Sequence, residues 1–540
     1  MIKGQSRDGI KKFFIHLGLL FFASLLFAGA FPNLLVEQGL PILAWFAYVP
    51  VFILIRRVSL GASIFWGALY GYTAYGLFNY WLSVFHPLAG LIVGLIYLVY
   101  LAVLFFFLKL TDILFPKKAY LVQWLIWMAY EYLRTLGFLG YSYGITGYSQ
   151  WRVIPLIQIA GVFGVWGVSA LVVFPSAWLA AALDGFKGAG SAVKKFFRRE
   201  KISALCWAAA LCAALVYGFV LPKDFSGYPT AKIALVQHNT DPWRGGIDEY
   251  RKNYQALRRL SDEALRSDPK PDMVVWSETA FVPRIYWHET YRDDPSSWVL
   301  VKELLDYLAA QDIPFVIGND DARKEPPKNP RDDYRVDYNA VILFEKGKMV
   351  RLYRKLHLVP FTEHFPYEKQ FPWIYRALEN ADTHFWEKGS EATVFRGPGF
   401  TFSSPICFED TFGYLSREFV RKGADLIVNL SNDAWSQSLP AQNQHLSMAV
   451  FRAVENRRSM ARSTASGQTC GVDPAGRVIA MAPPFREAWI TVELPVVKED
   501  TVYTSRGDFL ALGFTAAALV LLIFGFLSFI LKKIKKGRRR

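Results

Sequence analysis

Three short segments of this sequence each lead to an ionisable residue, and together the three residues form a workable set for acyl transfer. Met-Val-Val-Trp-Ser leads to Glu278, Arg-Leu-Tyr-Arg leads to Lys355, and Phe-Ser-Ser-Pro-Ile leads to Cys407. A thiolate is a strong nucleophile, but at neutral pH it needs a base or a cationic neighbour in order to form. Cys407 is therefore the candidate nucleophile.

Each of these residues alone also has an ordinary structural interpretation. A cysteine at a strand end usually packs as a small hydrophobic residue, a glutamate after a strand is usually solvated, and Lys355 lies in a basic run that suits a surface edge. A disulfide between Cys407 and Cys470 is a further alternative, while the other two cysteines lie in an apolar run. The three residues indicate chemistry only as a set.

The surrounding sequence predicts the elements that position this set. Apolar, β-branched runs predict buried strands at 233–236, 273–275, 314–317, 340–344 and 425–429. Helical patterns occupy 248–266, 297–310, 414–421 and 443–458. This alternation predicts a layered α/β domain, in which loops at strand ends gather catalytic groups.

These segments resemble the Glu-Lys-Cys motifs of the nitrilase, or carbon-nitrogen hydrolase, superfamily. The resemblance lies in Trp276-Ser-Glu278, in Tyr353-Arg-Lys355 with Val359-Pro-Phe-Thr-Glu363, and in Ile406-Cys407-Phe-Glu-Asp410. Val236-Gln-His-Asn239 and Ser431-Asn-Asp-Ala-Trp435 agree with it. Together with the membrane segments described below, the chain resembles the apolipoprotein N-acyltransferase family within that superfamily.

The resemblance implies an αββα sandwich and a role for each matching residue. Cys407 would be the nucleophile, Glu278 the general base and Lys355 the cation that stabilises the oxyanion. Phe408 stands where a tyrosine is often found, so a hydroxyl role there is in doubt, but its backbone N–H is available as an oxyanion donor. The resemblance also implies supporting roles for Glu363 and Glu409, and substrate binding by Trp243 and Trp435.

Composition indicates a membrane protein. Hydrophobic residues make up 53% of the 540 residues and aromatic residues 16%, which is more than soluble domains ordinarily contain. A bilayer core of ~30 Å requires about 20 apolar residues in a helix. We predict about eight spans, at 13–31, 34–55, 60–82, 88–108, 119–136, 153–183, 202–221 and 509–531. The first run also resembles a signal peptide that ends at Ala28-Gly29-Ala30, and cleavage there is an alternative.

The basic residues follow the predicted spans. They cluster in alternate loops, at 56–57, 117–118 and 194–201, and at both termini, as expected for cytoplasmic segments. The net charge of +15 is therefore interpreted as membrane topology and not as a nucleic-acid-binding surface. The sequence predicts a bundle of about seven helices at 1–221, an extracytoplasmic catalytic domain at 222–508, and a last span with a basic tail at 509–540. Both termini would be cytoplasmic.

Three further features belong to the membrane part or its interface. Glu131 and Arg134 are spaced to pair on one helix face, with a lipid headgroup contact as the alternative. Gly161, Gly164 and Gly167 predict close helix packing in the sixth span. The aromatic residues of 359–388 predict a loop that enters the membrane interface, or alternatively an ordinary core.

The resemblance implies transfer of an acyl chain from the sn-1 position of a phospholipid, often phosphatidylethanolamine. The acceptor would be the α-amino group of the S-diacylglyceryl cysteine of an apolipoprotein. The reaction would be ping-pong through a Cys407 thioester at the bacterial inner membrane, with no metal or other cofactor, and nothing requires more than a monomer. A membrane-anchored amidase that hydrolyses a small amide with the same triad is one alternative, and a transporter or scaffold with a degenerate nitrilase domain is another. The many spans favour acyl transfer over the amidase, and the intact triad disfavours the scaffold.

Overall fold

The computed structural model describes residues 2–85, 87–184, 190–241, 245–325, 335–380 and 385–537. The helices are α1 (Ile2–Ala30), α2 (Pro41–Ala44), α3 (Val49–Arg57), α4 (Leu60–Phe78), α5 (Leu82–Phe85), α6 (Pro87–Leu114), α7 (Ala119–Leu133), α8 (Ile154–Ile157), α9 (Ala160–Phe163), α10 (Val165–Asp184), α11 (Gly190–Val220), α12 (Gly246–Leu265), α13 (Ile285–Tyr291), α14 (Pro295–Ala309), α15 (Pro372–Glu379), α16 (Gly413–Arg421), α17 (Leu439–Asn456), α18 (Val502–Arg506) and α19 (Phe509–Gly537). The strands are β1 (Thr230–Gln237), β2 (Met273–Trp276), β3 (Phe315–Lys324), β4 (Arg335–Glu345), β5 (Lys348–Arg354), β6 (Val394–Arg396), β7 (Thr401–Ser403), β8 (Leu426–Ser431), β9 (Ser459–Thr464), β10 (Cys470–Val472), β11 (Val478–Met481) and β12 (Ala488–Pro495).

The chain divides into two compact units. The helical unit comprises 1–221, 438–447 and 508–540, and the α/β unit comprises 222–437 and 448–507. Residues 438–447, which include the first part of α17, thus group with the helical unit although they lie far from it in sequence.

Within the described ranges, five helices of the helical unit are long and apolar enough to cross a membrane. They cover 8–30, 89–114, 165–183, 196–220 and 509–536. The span predicted at 60–82 corresponds to α4, whose composition is less apolar, and the span predicted at 119–136 corresponds to the 15-residue α7. At 1.5 Å per residue α7 is only about 22 Å long, shorter than a bilayer core. The count of eight spans therefore stays a prediction.

Two runs predicted as single spans contain more than one helix: residues 153–183 include a helix long enough to span, at 165–183, whereas the helices of residues 34–55 are too short. Residues 34–55 form α2 and α3, and each of these helices has a proline in its first turn, at Pro41 and Pro50. A proline lacks the N–H that a helix interior uses, so it favours a helix start. Residues 153–183 form α8, α9 and α10, and Gly164 ends α9 with a φ of 65°.

Close packing occurs at Gly167 of the predicted stretch, where a Cβ would lie 2.8 Å from that of Phe163, and also at glycines of α4. A side chain at Gly67 or Gly71 would collide with the backbone carbonyls of Leu101 or Tyr97 on α6. Small residues of this kind let two backbones approach closely. α1 contributes to the same interior, since Phe27 is buried and its ring lies 5.3 Å from that of Tyr75.

Glu131 and Arg134 are both buried, but they have separate partners, contrary to the predicted pair. Glu131 accepts hydrogen bonds from the backbone and hydroxyl of Thr146. Arg134 donates to the Tyr97 hydroxyl at 2.6 Å and to the carbonyl of Tyr143 at 2.9 Å. Arg134 is the C-terminal cap of α7, and its side chain bonds to these groups, so the i, i+3 spacing with Glu131 does not lead to a pair.

The α/β unit contains two six-stranded sheets. Their strand orders are β12-β1-β2-β3-β4-β5 and β11-β10-β9-β8-β7-β6. β1, β2 and β3 are parallel in the first sheet, and β7, β8 and β9 are parallel in the second. The sheets face each other through β1 and β9, where the Ser463 hydroxyl donates to the carbonyls of Val236 and Val275, each at 3.3 Å.

Helices cover the outer faces of these sheets. Apolar residues of α12 and α14 pack on the first sheet, with Leu257 and Leu304 fully buried against Val236 and Val274. α16 packs on β7 of the second sheet. The layers are therefore helix, sheet, sheet and helix, which confirms the expected αββα sandwich.

Residues 359–388 carry both buried and exposed aromatic side chains. Phe365 is buried, whereas Phe371 and Trp373 are 46% and 67% exposed at the start of α15. Every residue of α15 is at least partly exposed, so an ordinary core does not account for this helix. Entry of the segment into a membrane interface stays a prediction.

Candidate active site

The three candidate catalytic residues follow strand ends of the α/β unit. Glu278 lies two residues after β2, Lys355 comes directly after β5, and Cys407 begins a short 3-10 helix, Cys407–Thr411, after β7. Close packing fixes the first of these turns, because a Cβ at Gly318 of β3 would lie 2.7 Å from the Cα of Glu278. The sheets therefore bring together residues that are widely separated in sequence.

Lys355 is fully buried between two carboxylates. Its Nζ lies 2.8 Å from Glu363 Oε1 and 3.4 Å from Glu278 Oε1. Burial alone lowers the pKa of Lys355, but the charges of Glu363 and Glu278 outweigh burial and raise this pKa above its ordinary value. The lysine is therefore held in its charged form at neutral pH. Glu363 is itself oriented by the Val359 N–H, which donates to its other oxygen at 2.9 Å.

Two asparagines that sequence analysis gave no role hold Glu278 in place. The side-chain amide of Asn339 donates to Glu278 Oε1 at 2.8 Å, and the backbone N–H of Asn432 donates to Oε2 at 2.9 Å. The backbone carbonyl of Asn339 also accepts a hydrogen bond from the backbone N–H of Lys355, at 2.8 Å. Asn339 thus positions both the base and the cation, and its one signal in the sequence is its place directly before the apolar run 340–344.

The thiol of Cys407 is protonated at rest. Burial raises the pKa of this thiol well above its usual value, the Glu278 carboxylate raises it further, and Lys355 partly offsets both effects. The residue is nevertheless partly exposed, so a substrate can reach it. A protonated, reachable thiol next to a carboxylate requires general-base activation, in which the proton leaves as the sulfur attacks.

Cys407 has a left-handed backbone, and Glu409 holds the loop that carries it. The φ of Cys407 is 47°, a conformation that costs energy for a residue with a side chain and that recurs at active sites. The Glu409 carboxylate accepts from the N–H of Ile406 at 2.8 Å, of Leu356 at 2.7 Å and of His357 at 2.9 Å, and also from the Tyr353 hydroxyl. Glu409 therefore fastens the nucleophile loop to the lysine loop. Burial raises the pKa of Glu409 to about 7, although the hydrogen bonds from these donors lower it.

A buried arginine joins two of the loops around the site. Arg462 of β9 is fully buried and forms an ion pair with Asp410, three residues after the nucleophile. Its other amino group lies 2.9 Å from Asp433, next to Asn432. Arg462 also donates to Asn429 at 2.6 Å. The sequence gives no signal of this network, because its members lie in a 3-10 helix, on β8, in the loop after β8 and on β9.

The other predicted site residues lie as follows. Phe408 is buried, with its ring 5.0 Å from that of Phe412. Trp435 is partly exposed in the loop after β8, three residues beyond Asn432. Trp243 lies outside the described residues. The alternative of a bridge between Cys407 and Cys470 was wrong, because both are free thiols and Cys470 is buried.

Comparisons with known proteins match nearly the whole chain. Residues 23–178 match the model of the apolipoprotein N-acyltransferase N-terminal domain, and residues 232–501 match that of the carbon-nitrogen hydrolase family. The apolipoprotein N-acyltransferase 1 of Treponema denticola is 45% identical over 95% of this chain and 96% of that one. The apolipoprotein N-acyltransferase 1 of Treponema pallidum is 47% identical over 95% and 96%. The apolipoprotein N-acyltransferase of Borreliella burgdorferi is 30% identical over 90% and 91%.

Proposed function

Given that this chain belongs to the apolipoprotein N-acyltransferase family and acylates lipoproteins at the amino terminus, we propose that the acyl group passes through a thioester on Cys407. The protein is an acyltransferase of the inner membrane with lipid and lipoprotein substrates. The observation that carries the proposal is the partly exposed Cys407 beside the buried Lys355 and its two carboxylate partners, Glu278 and Glu363.

In the first half-reaction a membrane phospholipid is the acyl donor. Glu278 takes the proton of the Cys407 thiol while the sulfur attacks the carbonyl carbon of the sn-1 ester. Lys355 and the backbone N–H of Phe408 stabilise the oxyanion of the tetrahedral intermediate. The ester C–O bond then breaks, the proton passes from Glu278 to the departing oxygen, and a lysophospholipid leaves. The acyl chain remains on Cys407 as a thioester. Phosphatidylethanolamine is the donor that we expect.

In the second half-reaction the acceptor is the α-amino group of an S-diacylglyceryl cysteine. An α-ammonium has an ordinary pKa near 8, so Glu278 can remove its proton readily. The proton taken from the ammonium is released to water, and the neutral nitrogen attacks the thioester carbonyl. As the C–S bond breaks, Glu278 moves a second proton from this nitrogen to the departing Cys407 sulfur, which leaves an amide and the free thiol. Replacing a thioester by an amide is downhill, so the step needs no external energy source. One chain carries every group in this scheme, which is consistent with a monomer.

The same scheme assigns roles to the parts of the chain. We propose that residues 1–221 and 509–540 anchor the protein, and that residues 222–508 form the catalytic domain on the periplasmic side. The basic residues of alternate loops and of both termini support cytoplasmic ends. Trp435, and Trp243 by its sequence match, would line the opening for lipid. Because both substrates are lipid-anchored, the anchor keeps the active site at the membrane surface.

The match over residues 23–178 and the full-length relatives favour acyl transfer over hydrolysis by an anchored amidase. The two functions differ in what removes the acyl group from Cys407, an amine or water.

A labelled-phospholipid experiment tests the proposal. Purified full-length protein is incubated with phospholipid that carries a labelled sn-1 chain, and protein-bound label is measured before and after hydroxylamine. We expect label on the wild type that hydroxylamine releases, and no label on Cys407→Ala. Label retained by Cys407→Ala would refute the mechanism. In depleted cells, mass spectrometry of lipoprotein amino termini should show N-acylation with the wild type and not with Cys407→Ala.

A further inference from the structure

A cavity of the α/β unit lies at the carboxyl ends of three strands, two of which neighbour strands that lead to the triad. Its volume is about 670 Å³, within the range of roughly 300–1,000 Å³ that is typical of ligand pockets. Asn239, which follows β1, Ala434, which follows β8, and Ser466, which follows β9, are among its walls. The carboxyl ends of parallel strands are where α/β domains usually bind ligands.

This cavity shares a loop with the candidate general base. The N–H of Asn432 donates to Glu278, and Ala434, two residues later, forms part of the cavity wall. Gln437, at the end of the same loop, also lines the cavity. A ligand in the cavity therefore contacts the segment that orients Glu278.

The walls suit a peptide better than an acyl chain. The side chains of Asn239, Thr240, Asn253, Gln437 and Ser466 are amides or hydroxyls that can both donate and accept hydrogen bonds, as backbone peptide groups require. They are already ordered, since Ser466 donates to Asn239 at 2.7 Å and Thr240 donates to Asn253 at 2.9 Å.

The acyl chain and the phosphate of a lipid fit this cavity less well than a peptide does. Among the described lining residues, only Ala434 and Phe485 offer apolar side chains, so an acyl chain would find little apolar wall. Asp241 and Glu249 are the charged side chains of the described lining, and two carboxylates disfavour the phosphate of a lipid headgroup.

Strained backbone is concentrated in these walls. Asn239, Gln437 and Phe485 all have positive φ, at 57°, 42° and 57°. Such conformations cost energy for residues with side chains and recur at ligand-binding sites. Because three such residues surround one cavity, we infer that the fold maintains the shape of this cavity for a ligand.

We propose that this cavity binds the polypeptide of the acceptor, the residues that follow the lipid-modified cysteine, during the second half-reaction. The proposal rests on the proposed function, because it requires an acyl-enzyme that an apolipoprotein attacks. The cavity recognises the protein part of the acceptor, whereas the triad acts on the acyl and amino groups.

The test separates the two half-reactions in the purified full-length protein. Thr240→Trp fills the cavity, and Thr290→Trp makes the same change at an exposed position of α13. Each variant is first loaded from labelled phospholipid, and the rate of thioester formation is measured. The loaded protein is then mixed with either an S-diacylglyceryl lipopeptide or S-diacylglyceryl cysteine amide, which lacks the peptide.

Thr240→Trp should load at the wild-type rate and react normally with the cysteine amide. Its KM for the lipopeptide should rise about tenfold, the effect of losing one or two hydrogen bonds. Thr290→Trp should match the wild type throughout. Asn253→Ala, which removes one amide without filling the cavity, should raise the same KM by a smaller factor and keeps the test valid if the tryptophan variant fails to fold.

Three results would overturn the inference. An unchanged KM for the lipopeptide in both cavity variants would show that the peptide binds elsewhere. Equal slowing with both acceptors would show an effect on the triad. Slower loading would place the donor in the cavity. If the wild type forms no thioester, the proposed function fails and this inference falls with it.

Discussion

The contact between Asn339 and Glu278 leads to a quantitative prediction for the first half-reaction. Asn339 is buried, and its amide donates to Glu278 Oε1 at 2.8 Å. Asn339→Leu keeps a branched side chain of similar shape but removes this donor. The carbonyl of residue 339 would still accept from the Lys355 N–H, because that bond uses only the backbone. The substitution therefore acts on the orientation of the base and leaves the lysine loop in place.

The size of the effect follows from the kind of hydrogen bond that is lost. A bond to a charged group contributes about 1.5–3 kcal/mol, and each ~1.4 kcal/mol in an activation barrier changes the rate about tenfold. We therefore expect thioester formation on Cys407 to slow by about 10- to 100-fold. Single-turnover loading from labelled phospholipid measures this rate directly, without the second half-reaction.

A matched control distinguishes this effect from a general loss of structure. Gln255→Ala removes one amide from an exposed position of α12 and should load like the wild type. Thermal melts of both variants check folding. If folded Asn339→Leu loads within about threefold of the wild type, a change of less than ~0.7 kcal/mol, then Asn339 does not position the base and our reasoning is wrong.

Three further predictions concern buried charges. Glu363→Gln removes a carboxylate that raises the pKa of Lys355. In a pH profile of the rate of thioester formation, the decline at alkaline pH should therefore move to lower pH. An unchanged decline would contradict this role. Arg462→Met leaves buried carboxylates unpaired and should cost about 3–5 kcal/mol in chemical denaturation. Adding Asp410→Asn should recover part of that loss, and no recovery would disprove the coupling. Burial lowers the pKa of His238 from 6.5 to about 4. Its contribution to stability is therefore fully present above pH 6.5, where the side chain is neutral in both the folded and the unfolded state. Up to about 3 kcal/mol of the free energy of unfolding should be lost as the pH falls from 6.5 to 4. His238→Phe should flatten that part of the denaturation profile, and an equal acid sensitivity would contradict the assignment.

The candidate catalytic residues could be predicted from the sequence because each depends on a local pattern. Glu278 follows the contiguous apolar run of β2, and Lys355 and Cys407 follow short segments whose local sequences match the family motifs, so each residue can be located within a few positions. The apolar runs likewise predicted β1, β2, β3, β4 and β8, and the helical patterns predicted α12, α14, α16 and α17. The fully buried β9 was not predicted, because its sequence Ser-Met-Ala-Arg-Ser-Thr is largely polar. The resemblance implied the αββα layers but not the order of the strands in the two sheets.

The groups that hold these residues could not be predicted because they depend on strand order. Asn339 is 61 residues from Glu278, and Arg462 is 52 residues from Asp410. No pattern along the chain shows that β3 pairs with β4 or that β8 pairs with β9 in the observed registers. Contacts of this kind follow from the tertiary fold.

The membrane part shows a different limit of sequence analysis. Hydropathy measures how apolar a run is, but it does not detect a break such as the one at Gly164, where a positive φ separates α9 from α10. Spacing likewise suggested a pair for Glu131, whose carboxylate instead accepts hydrogen bonds from Thr146, beyond the end of α7. In both cases a helix ends or breaks where a continuous one was assumed.

The backbone of Cys407 has a consequence for the evolution and engineering of this protein. Because its φ of 47° is unfavourable for any residue with a Cβ, glycine at this position would relieve strain while abolishing the chemistry. Selection for thermal stability alone would therefore favour loss of the nucleophile, and only selection for turnover opposes that drift. In a library screened for heat resistance, the best-folded clones at position 407 would be inactive, which makes this position a place where stability and activity are traded directly against each other.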